Sequence, residues 1–248
     1  MEKINLFYFS GSGNTEKIAN HVKKIFEAKG FETSLDKMEK IEKVNIDDCE
    51  YVGLLFPVAI QSTFPLVWNF AKNLPNTHNK KIFMIDTMEA FSGGIVGPLK
   101  KLLSKKGYNC VGAIEIKMSN SMQMNIKKVD KGISLNQKAY KIAEEFCQNL
   151  LDGKTKWHRI IILSDLMRAI SVSKNIWISQ SKKLTVNNDK CIGCGLCIRK
   201  CPKQALSYIP NTKKITIDHF LCESCMRCVN HCPQNAFLLD GKQVIQNK

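Results

Sequence analysis

Phe7-Tyr8-Phe9-Ser10-Gly11-Ser12-Gly13-Asn14-Thr15 joins an apolar run, Ile4–Phe9, to a stretch with helical spacing, Thr15–Ala28. In the second stretch Ile18, Ala19, Val22, Ile25 and Phe26 recur on one face, as an amphipathic helix requires. A strand entering a short Gly/Ser loop that opens a helix is the start of a βα unit. The loop offers hydroxyls at Ser10, Ser12 and Thr15, two glycines for close backbone approach, and the free amides of a helix N-terminus. Those are the parts of an anion site for a phosphate. No Gly-Lys-Ser/Thr follows, so it is not a Walker loop. Glu16 stands where a dinucleotide fingerprint has its third glycine. A plain Gly/Ser turn, with Asn14 or Thr15 near the helix cap, is the bland alternative.

Outward from this loop the same alternation continues. Phe31–Leu35, Tyr51–Phe56, Lys81–Asp86 and Cys110–Ile116 read as strands. Phe64–Leu74, Ile95–Lys106 and Ser134–Leu151 read as helices, the last capped by Ser134 and closed by Gly153. Strands alternating with helices predict an α/β, doubly wound parallel sheet of five strands over residues 1–152, with its ligand at the carboxyl ends of the strands.

The last part of the chain has a different texture. Cys191-Ile-Gly-Cys194-Gly-Leu-Cys197-Ile-Arg-Lys-Cys201-Pro202 returns 31 residues later as Cys222-Glu-Ser-Cys225-Met-Arg-Cys228-Val-Asn-His-Cys232-Pro233. The match extends outward, pairing Leu184-Thr185-Val186 with Ile215-Thr216-Ile217 and Ala205-Leu206 with Ala236-Phe237. Each copy reads as strand, cysteine loop, short helix, strand: an internal duplication. Zinc fits poorly, since structural zinc sites use two CxxC pairs across a longer spacer. Cys49, Cys110 and Cys147, scattered elsewhere, read as small buried hydrophobes.

Net charge is +15, concentrated between residues 100 and 183, where 17 basic residues face 6 acidic ones. No arginine-rich or aromatic-interleaved stretch accompanies the charge, so nucleic acid is not expected as a partner. Nothing reads as a signal peptide, and the apolar run His158–Ile178 is too often interrupted to serve as a membrane span. Eleven cysteines without such a leader suit a reducing, cytoplasmic setting rather than a disulfide framework. Residues 153–183 form an apolar helical connector, too apolar for a solvated linker, which should pack on a domain or on a second copy of the chain as a homodimer contact.

Both cysteine runs are the C-x2-C-x2-C-x3-C-P pattern of bacterial two-cluster ferredoxins. The resemblance implies two [4Fe–4S] clusters in an α+β ferredoxin domain, residues 184–248. It assigns Cys191, Cys194, Cys197 and Cys232 to the first cluster, and Cys222, Cys225, Cys228 and Cys201 to the second. The segment Phe7–Thr15 resembles the phosphate loop of flavodoxins, so Ser10, Gly11, Ser12, Gly13, Asn14 and Thr15 are expected to hold the phosphate of FMN. By the same resemblance two further loops hold the flavin ring: Pro57, Val58, Ala59 and Ile60, in a loop without glycine, and Thr87, Phe91, Ser92, Gly93 and Gly94. The whole chain resembles the flavodoxin–ferredoxin fusion proteins of anaerobic microbes. That implies an electron-transfer iron–sulfur flavoprotein relaying single electrons to redox partner proteins, acidic ones given lysines such as Lys200 and Lys203. An FMN-dependent reductase of a quinone or nitro compound, fed by the clusters, is the alternative. No catalytic triad or second nucleotide fingerprint accompanies it, and no catalytic residue is assigned.

Overall fold

Apolar runs separated by helices of matched length give a chain that can hide its strands on both faces. The computed structural model describes residues 1–89, 93–118, 129–158 and 173–244, the side chains of 129–134 excepted. These fall into two compact units, one holding residues 1–118 and the segment up to 158, the other residues 173–244.

In the first unit, β1 (Lys3–Tyr8), β2 (Glu32–Lys37), β3 (Tyr51–Ala59), β5 (Lys81–Met88) and β6 (Asn109–Lys117) form a parallel sheet in the order β2-β1-β3-β5-β6. The order turns back after β2, so the carboxyl ends of β1 and β3 flank the switch point. Leu6 pairs with Leu35 on one side and with Gly53 on the other, and Gly53 pairs in turn with Phe83. A Cβ at Gly53 would stand 2.5 Å from both Leu6 and Phe83 side-chain atoms. The central strand therefore needs a glycine there to let its neighbours close over it.

Side chains alternate between faces along each strand. Leu6, Tyr8, Phe83 and Ile85 pack against Ile18, Ala19, Val22 and Phe26 of α1 (Asn14–Ala28) and Ala139, Ala143, Phe146 and Leu150 of α4 (Val129–Leu151). Phe7 and Phe9 point the other way, their rings 5.2 Å from Phe70 and Phe64. Phe70 lies on α2 (Pro65–Asn73), which packs beside α3 (Val96–Lys105). Each fully buried Leu, Ile or Phe contributes about 1.5–3 kcal/mol, and that burial holds the layers together.

Two boundaries differ from the sequence reading. Helix α4 starts at Val129, so Ser134 lies inside it rather than at its cap; a single Gly132 costs only ~1 kcal/mol of helix propensity, against four turns of buried face further along. Strand β3 runs on to Ala59 and turns back into a short antiparallel strand, β4 (Ser62–Thr63), which adds a sixth strand to the sheet.

The second unit opens with α5 (Lys174–Lys182), the described end of the apolar connector; residues 159–172 lie outside the described residues. Then come β7 (Leu184–Val186), α6 (Leu196–Lys200), β8 (Leu206–Tyr208), β9 (Ile215–Ile217), α7 (Arg227–His231), β10 (Phe237–Leu239) and β11 (Lys242–Gln243). Each element from β7 to β8 has its twin 31 residues on. The pairing crosses the repeats: β7 joins β10, and β8 joins β9. Twin backbone bonds reinforce this, Asp218 N–H to Ala205 C=O at 2.8 Å and Asn187 N–H to Ala236 C=O at 2.7 Å. Leu184, Leu206, Ile215, Val229 and Phe237 fill a core shared with the cysteines.

Candidate functional site: a cysteine core and a phosphate loop

Tight wrapping of a loop around a metal centre demands backbone that an ordinary residue avoids. Gly193 and Gly195 supply it in the first run, at φ of 68° and 67°. Their twins in the second run, Ser224 and Met226, adopt the same left-handed conformation at 52° and 62°. A side chain there stores strain that the surroundings must hold in place. Both short helices then start from these residues, leading Cys201 and Cys232 away from their own loops.

The result is visible in which cysteines meet. A pocket is lined by Cys191, Cys194 and Cys197 of the first run and Cys232 of the second, with Val186, Ile215 and Phe237 as apolar walls. Burial pushes the Cys197 thiol up to about 11, with negative neighbours Cys191, Cys232 and Cys194 adding to the rise and the Ile198 N–H opposing it. Burial likewise raises Cys225 to about 12; Arg227 opposes, and Cys201 and Cys222 add. Cys228 is raised well above its usual value, first by burial, then by Cys225, Cys222 and Cys201. Thus Cys232 keeps company with the first run and Cys201 with the second. Thiols this reluctant to ionise become thiolates when a metal centre displaces their protons. Ala205 and Ala236 N–H groups donate to the Cys201 and Cys232 sulfurs, each at 3.3 Å, and Ser224 N–H donates to Cys222 at 3.4 Å. Amides aimed at sulfur stabilise cluster charge. Among the described residues no three His, Cys, Asp or Glu side chains converge on a single ion.

The phosphate loop follows β1 at the carboxyl edge of the sheet. Ser10 is buried, and its Oγ accepts the Gly13 N–H at 3.1 Å. Gly13 occupies the helix N-cap at φ 100°, a conformation any Cβ would strain, although a Cβ there would meet nothing within 4 Å. The space above the loop is open, as a bound phosphate needs. Thr15 is buried and shares a 2.7 Å hydrogen bond with the Thr87 hydroxyl at the end of β5. Fifteen residues of α1 stand behind the loop with Glu16 in the first turn, favourable to the helix dipole. Glu16, which the sequence reading did not single out for this, also ties the ends of β1 and β2 to α1: it accepts from the Tyr8 hydroxyl at 2.6 Å and pairs with Lys37 at 3.2 Å.

Pro57, Val58 and Ala59 lie on the extended end of β3, so the expected loop shrinks to a two-residue hairpin, Ile60-Gln61, at φ 52° and 59°. Both central residues left-handed is the type I′ geometry, normally left to Asn and Gly. The turn is tied to the neighbouring loop: Gly94 N–H donates to Gln61 C=O at 2.7 Å, Ser62 Oγ to Gly94 C=O at 3.2 Å, and Trp68 Nε1 to Ser62 Oγ at 3.2 Å. Gly93, half-buried, and Gly94, buried, therefore stand beside the hairpin; Phe91 and Ser92 lie outside the described residues. Hydroxyls, free helix amides and an open left-handed glycine fit an FMN phosphate, and two cross-tied loops fit the frame of a ring site.

No described helix is long and apolar enough to cross a membrane. Among curated proteins none matches the chain. The chain is similar to the solved Streptococcus pneumonia TIGR4 flavodoxin at 13% identity, over 60% of this chain and 98% of that one, TM-score 0.48. For two-electron reduced Megasphaera elsdenii flavodoxin the figures are 24%, 56%, 98% and 0.39. For rubredoxin oxygen:oxidoreductase from Desulfovibrio gigas they are 18%, 62%, 37% and 0.44. The family matches carry the weight: flavodoxin over residues 6–136, more than half of the chain, and a 4Fe-4S dicluster domain over residues 190–236. With the phosphate loop and the crossed cysteine sets in place, the chain belongs to the flavodoxin family, as a flavodoxin–ferredoxin fusion: an electron-transfer flavoprotein whose cofactors are FMN and two [4Fe–4S] clusters.

Proposed function

We propose that the chain relays single electrons between FMN, at the loops following β1, β3 and β5, and the two clusters of the cysteine core. The observation that supports this best is the pocket lined by three cysteines of one run and one of the other, because it makes both clusters parts of one small conducting unit. FMN, when bound, exchanges two electrons and releases them singly, while each cluster handles one.

The protein's own groups do the rest. Ser10, Ser12, Thr15 and the α1 amides anchor the phosphate without a cation, leaving the loop's charge balance to the helix dipole. The Gly94–Gln61 and Ser62–Gly94 bonds hold two ring loops at a fixed spacing. Amides on Cys201, Cys232 and Cys222, together with apolar walls, set how readily the clusters accept charge.

An acidic redox protein is the proposed partner. Lys200, Lys190, Arg199, Lys213 and Lys214 are exposed on the cysteine unit, whereas Lys203 pairs with Glu223 at 3.2 Å and is less suited to docking. A homodimer through the apolar connector and a cytoplasmic setting belong to the same proposal, the first open to sedimentation analysis. The relay is tested on anaerobically purified protein. About eight irons and one FMN per chain, with flavin and cluster absorbance reoxidised together by an acidic ferredoxin, support it. Iron without flavin sinks it. Steady turnover of a quinone or nitro compound with no protein partner favours the reductase instead.

A further inference from the structure

An electron leaves a buried cluster fastest where a ligand reaches the surface, because tunnelling falls steeply with distance. All eight ligand cysteines are among the described residues; Cys194 is exposed, and the other seven are half-buried or buried. An exposed apolar centre adjoins it. Ile192, two residues earlier, is 58% exposed, and Tyr208 and Ile209 at the end of β8 are exposed as well.

These residues share one face. The Tyr208 hydroxyl donates to the Gly193 carbonyl at 2.8 Å, and Arg199 Nη1 donates to the Cys194 carbonyl at 3.1 Å. A Cβ on Gly195 would stand 2.6 Å from the Tyr208 hydroxyl, and one on Gly193 would stand 2.7 Å from Lys213 Cβ. The Ile209 N–H donates to the Lys214 carbonyl at 2.9 Å, closing the β8–β9 hairpin that carries Tyr208 and Lys213 to the loop. Tyr and Arg are the residue types that most often carry binding energy at interfaces. Here both are held by bonds to loop carbonyls, so docking costs them little freedom.

Charge selects the occupant. Arg199, Lys213 and Lys214 are exposed around the apolar centre; the exposed Asp189, counted against them, still leaves the rim positive. The negative charge of a cluster lies behind the loop, so an approaching surface meets the cations first. Exposure alone would have chosen elsewhere, since Phe220 is 70% exposed, with Leu221 beside it ahead of the second run. Their turn, however, is built on the exposed carboxylate of Asp218, which accepts the Phe220 N–H at 2.8 Å. That is the wrong sign for an acidic partner.

We infer that the acidic redox partner docks on the face of Ile192, Tyr208 and Ile209, rimmed by Arg199, Lys213 and Lys214, and exchanges its electron with the first cluster through Cys194. This deepens the relay reading and rests on its cysteine assignment and its acidic partner. One electron leaves the reduced [4Fe–4S] cluster and reduces the partner's iron, with no bond made or broken.

The test takes the anaerobic full-length protein, its clusters reduced with dithionite and the excess removed, and mixes it by stopped flow with an oxidised acidic [2Fe–2S] ferredoxin. The wild-type rate constant should fall as salt rises. Ile192→Ser, which removes an anchor from the centre, should slow the reaction about fivefold. Lys213→Glu/Lys214→Glu should slow it about tenfold or more at low salt and flatten the salt dependence. Phe220→Ser should change neither, and each variant should keep its iron and its midpoints. The proposal is overturned if Phe220→Ser slows the reaction as much as Ile192→Ser does, or if Lys213→Glu/Lys214→Glu keeps the wild-type rate and salt dependence. Should the charge variant lose iron, the comparison of Ile192→Ser with Phe220→Ser decides. If Ile192→Ser slows only flavin-to-cluster transfer within the chain, or only splits a dimer in sedimentation, the face has another occupant and the proposal falls. FMN takes no part in the ferredoxin reaction, so a chain without FMN would defeat the relay and leave this result standing.

Discussion

Replacing Thr87 with valine changes a hydroxyl for a methyl of nearly the same shape, at a position only 4% exposed. Its partner Thr15, 1% exposed, then keeps a buried hydroxyl stripped of the 2.7 Å bond it shares with Thr87. Leaving one buried polar group unsatisfied costs about 1–3 kcal/mol, whereas removing both partners is close to neutral. Taking the middle of that range, Thr87→Val should lower stability of the flavodoxin unit by about 2 kcal/mol. For a unit of this size that is a Tm fall of about 4–8 °C. Thr15→Val should cost a similar amount, yet Thr15→Val/Thr87→Val together should cost less than the two singles added, with a coupling of about 1 kcal/mol or more. The second readout is FMN affinity, by quenching of flavin fluorescence on binding. Thr87→Val, which acts only by freeing Thr15 to turn, should weaken binding by no more than about tenfold, ~1.4 kcal/mol. Thr15→Val, which also deletes a hydroxyl of the phosphate loop, should weaken it further. Additive stability losses, or a Thr87 variant that weakens FMN more than the Thr15 variant, would refute the idea that the bond positions the loop.

Three more outcomes are expected. Gly13→Ala should weaken FMN binding and cost ~1 kcal/mol of stability or more, because φ 100° is closed to alanine although space for its methyl exists; unchanged affinity would mean the loop tolerates another backbone path. Cys197→Ser and Cys232→Ser, in different runs, should abolish the same cluster signal and leave about four irons, while Cys201→Ser and Cys225→Ser abolish the other; iron loss sorted by run instead would break the crossed assignment. Cys147, fully buried on α4, has its thiol raised by burial from 9.0 to about 12. A raised thiol favours the folded state below pH 9 and loses that contribution as pH climbs from 9 towards 12, with a limiting slope of about 1.4 kcal/mol per pH unit. Urea unfolding between pH 8 and 11 should therefore show a steep alkaline fall that Cys147→Ala flattens; parallel curves would count against it.

Much of this was legible in residues that follow simple periods. The alternation of Leu6 and Tyr8 with Phe7 and Phe9 decides which helix each meets, and the 31-residue offset gives every element of the cysteine unit from β7 to β10. What escaped the sequence reading depends on tertiary pairing. Nothing about Ile60-Gln61 announces a left-handed hairpin, since a β-branched residue belongs elsewhere by preference; the strands on either side and the Gly94 bond impose it. Ser224 and Met226 likewise follow Gly193 and Gly195 only because the duplicated frame holds them there. The start of α4 differs because Ser134, a residue type that often caps a helix, here lies inside one that begins at Val129. The Thr15–Thr87 and Glu16–Tyr8 bonds link residues whose closeness only the sheet order creates.

The crossing of the two repeats also fixes an order of manufacture. On a ribosome the flavodoxin sheet has all its strands once Lys117 has emerged, and its α4 once Leu151 has followed, so that unit can fold early. The cysteine unit has no such partial state. Strand β7 waits for β10, and the pocket begun by Cys191 gains its last sulfur only with Cys232. Neither half can therefore mature by itself, and iron delivery must follow translation of both. A cell short of iron would accumulate chains with a finished first unit and an unfinished second.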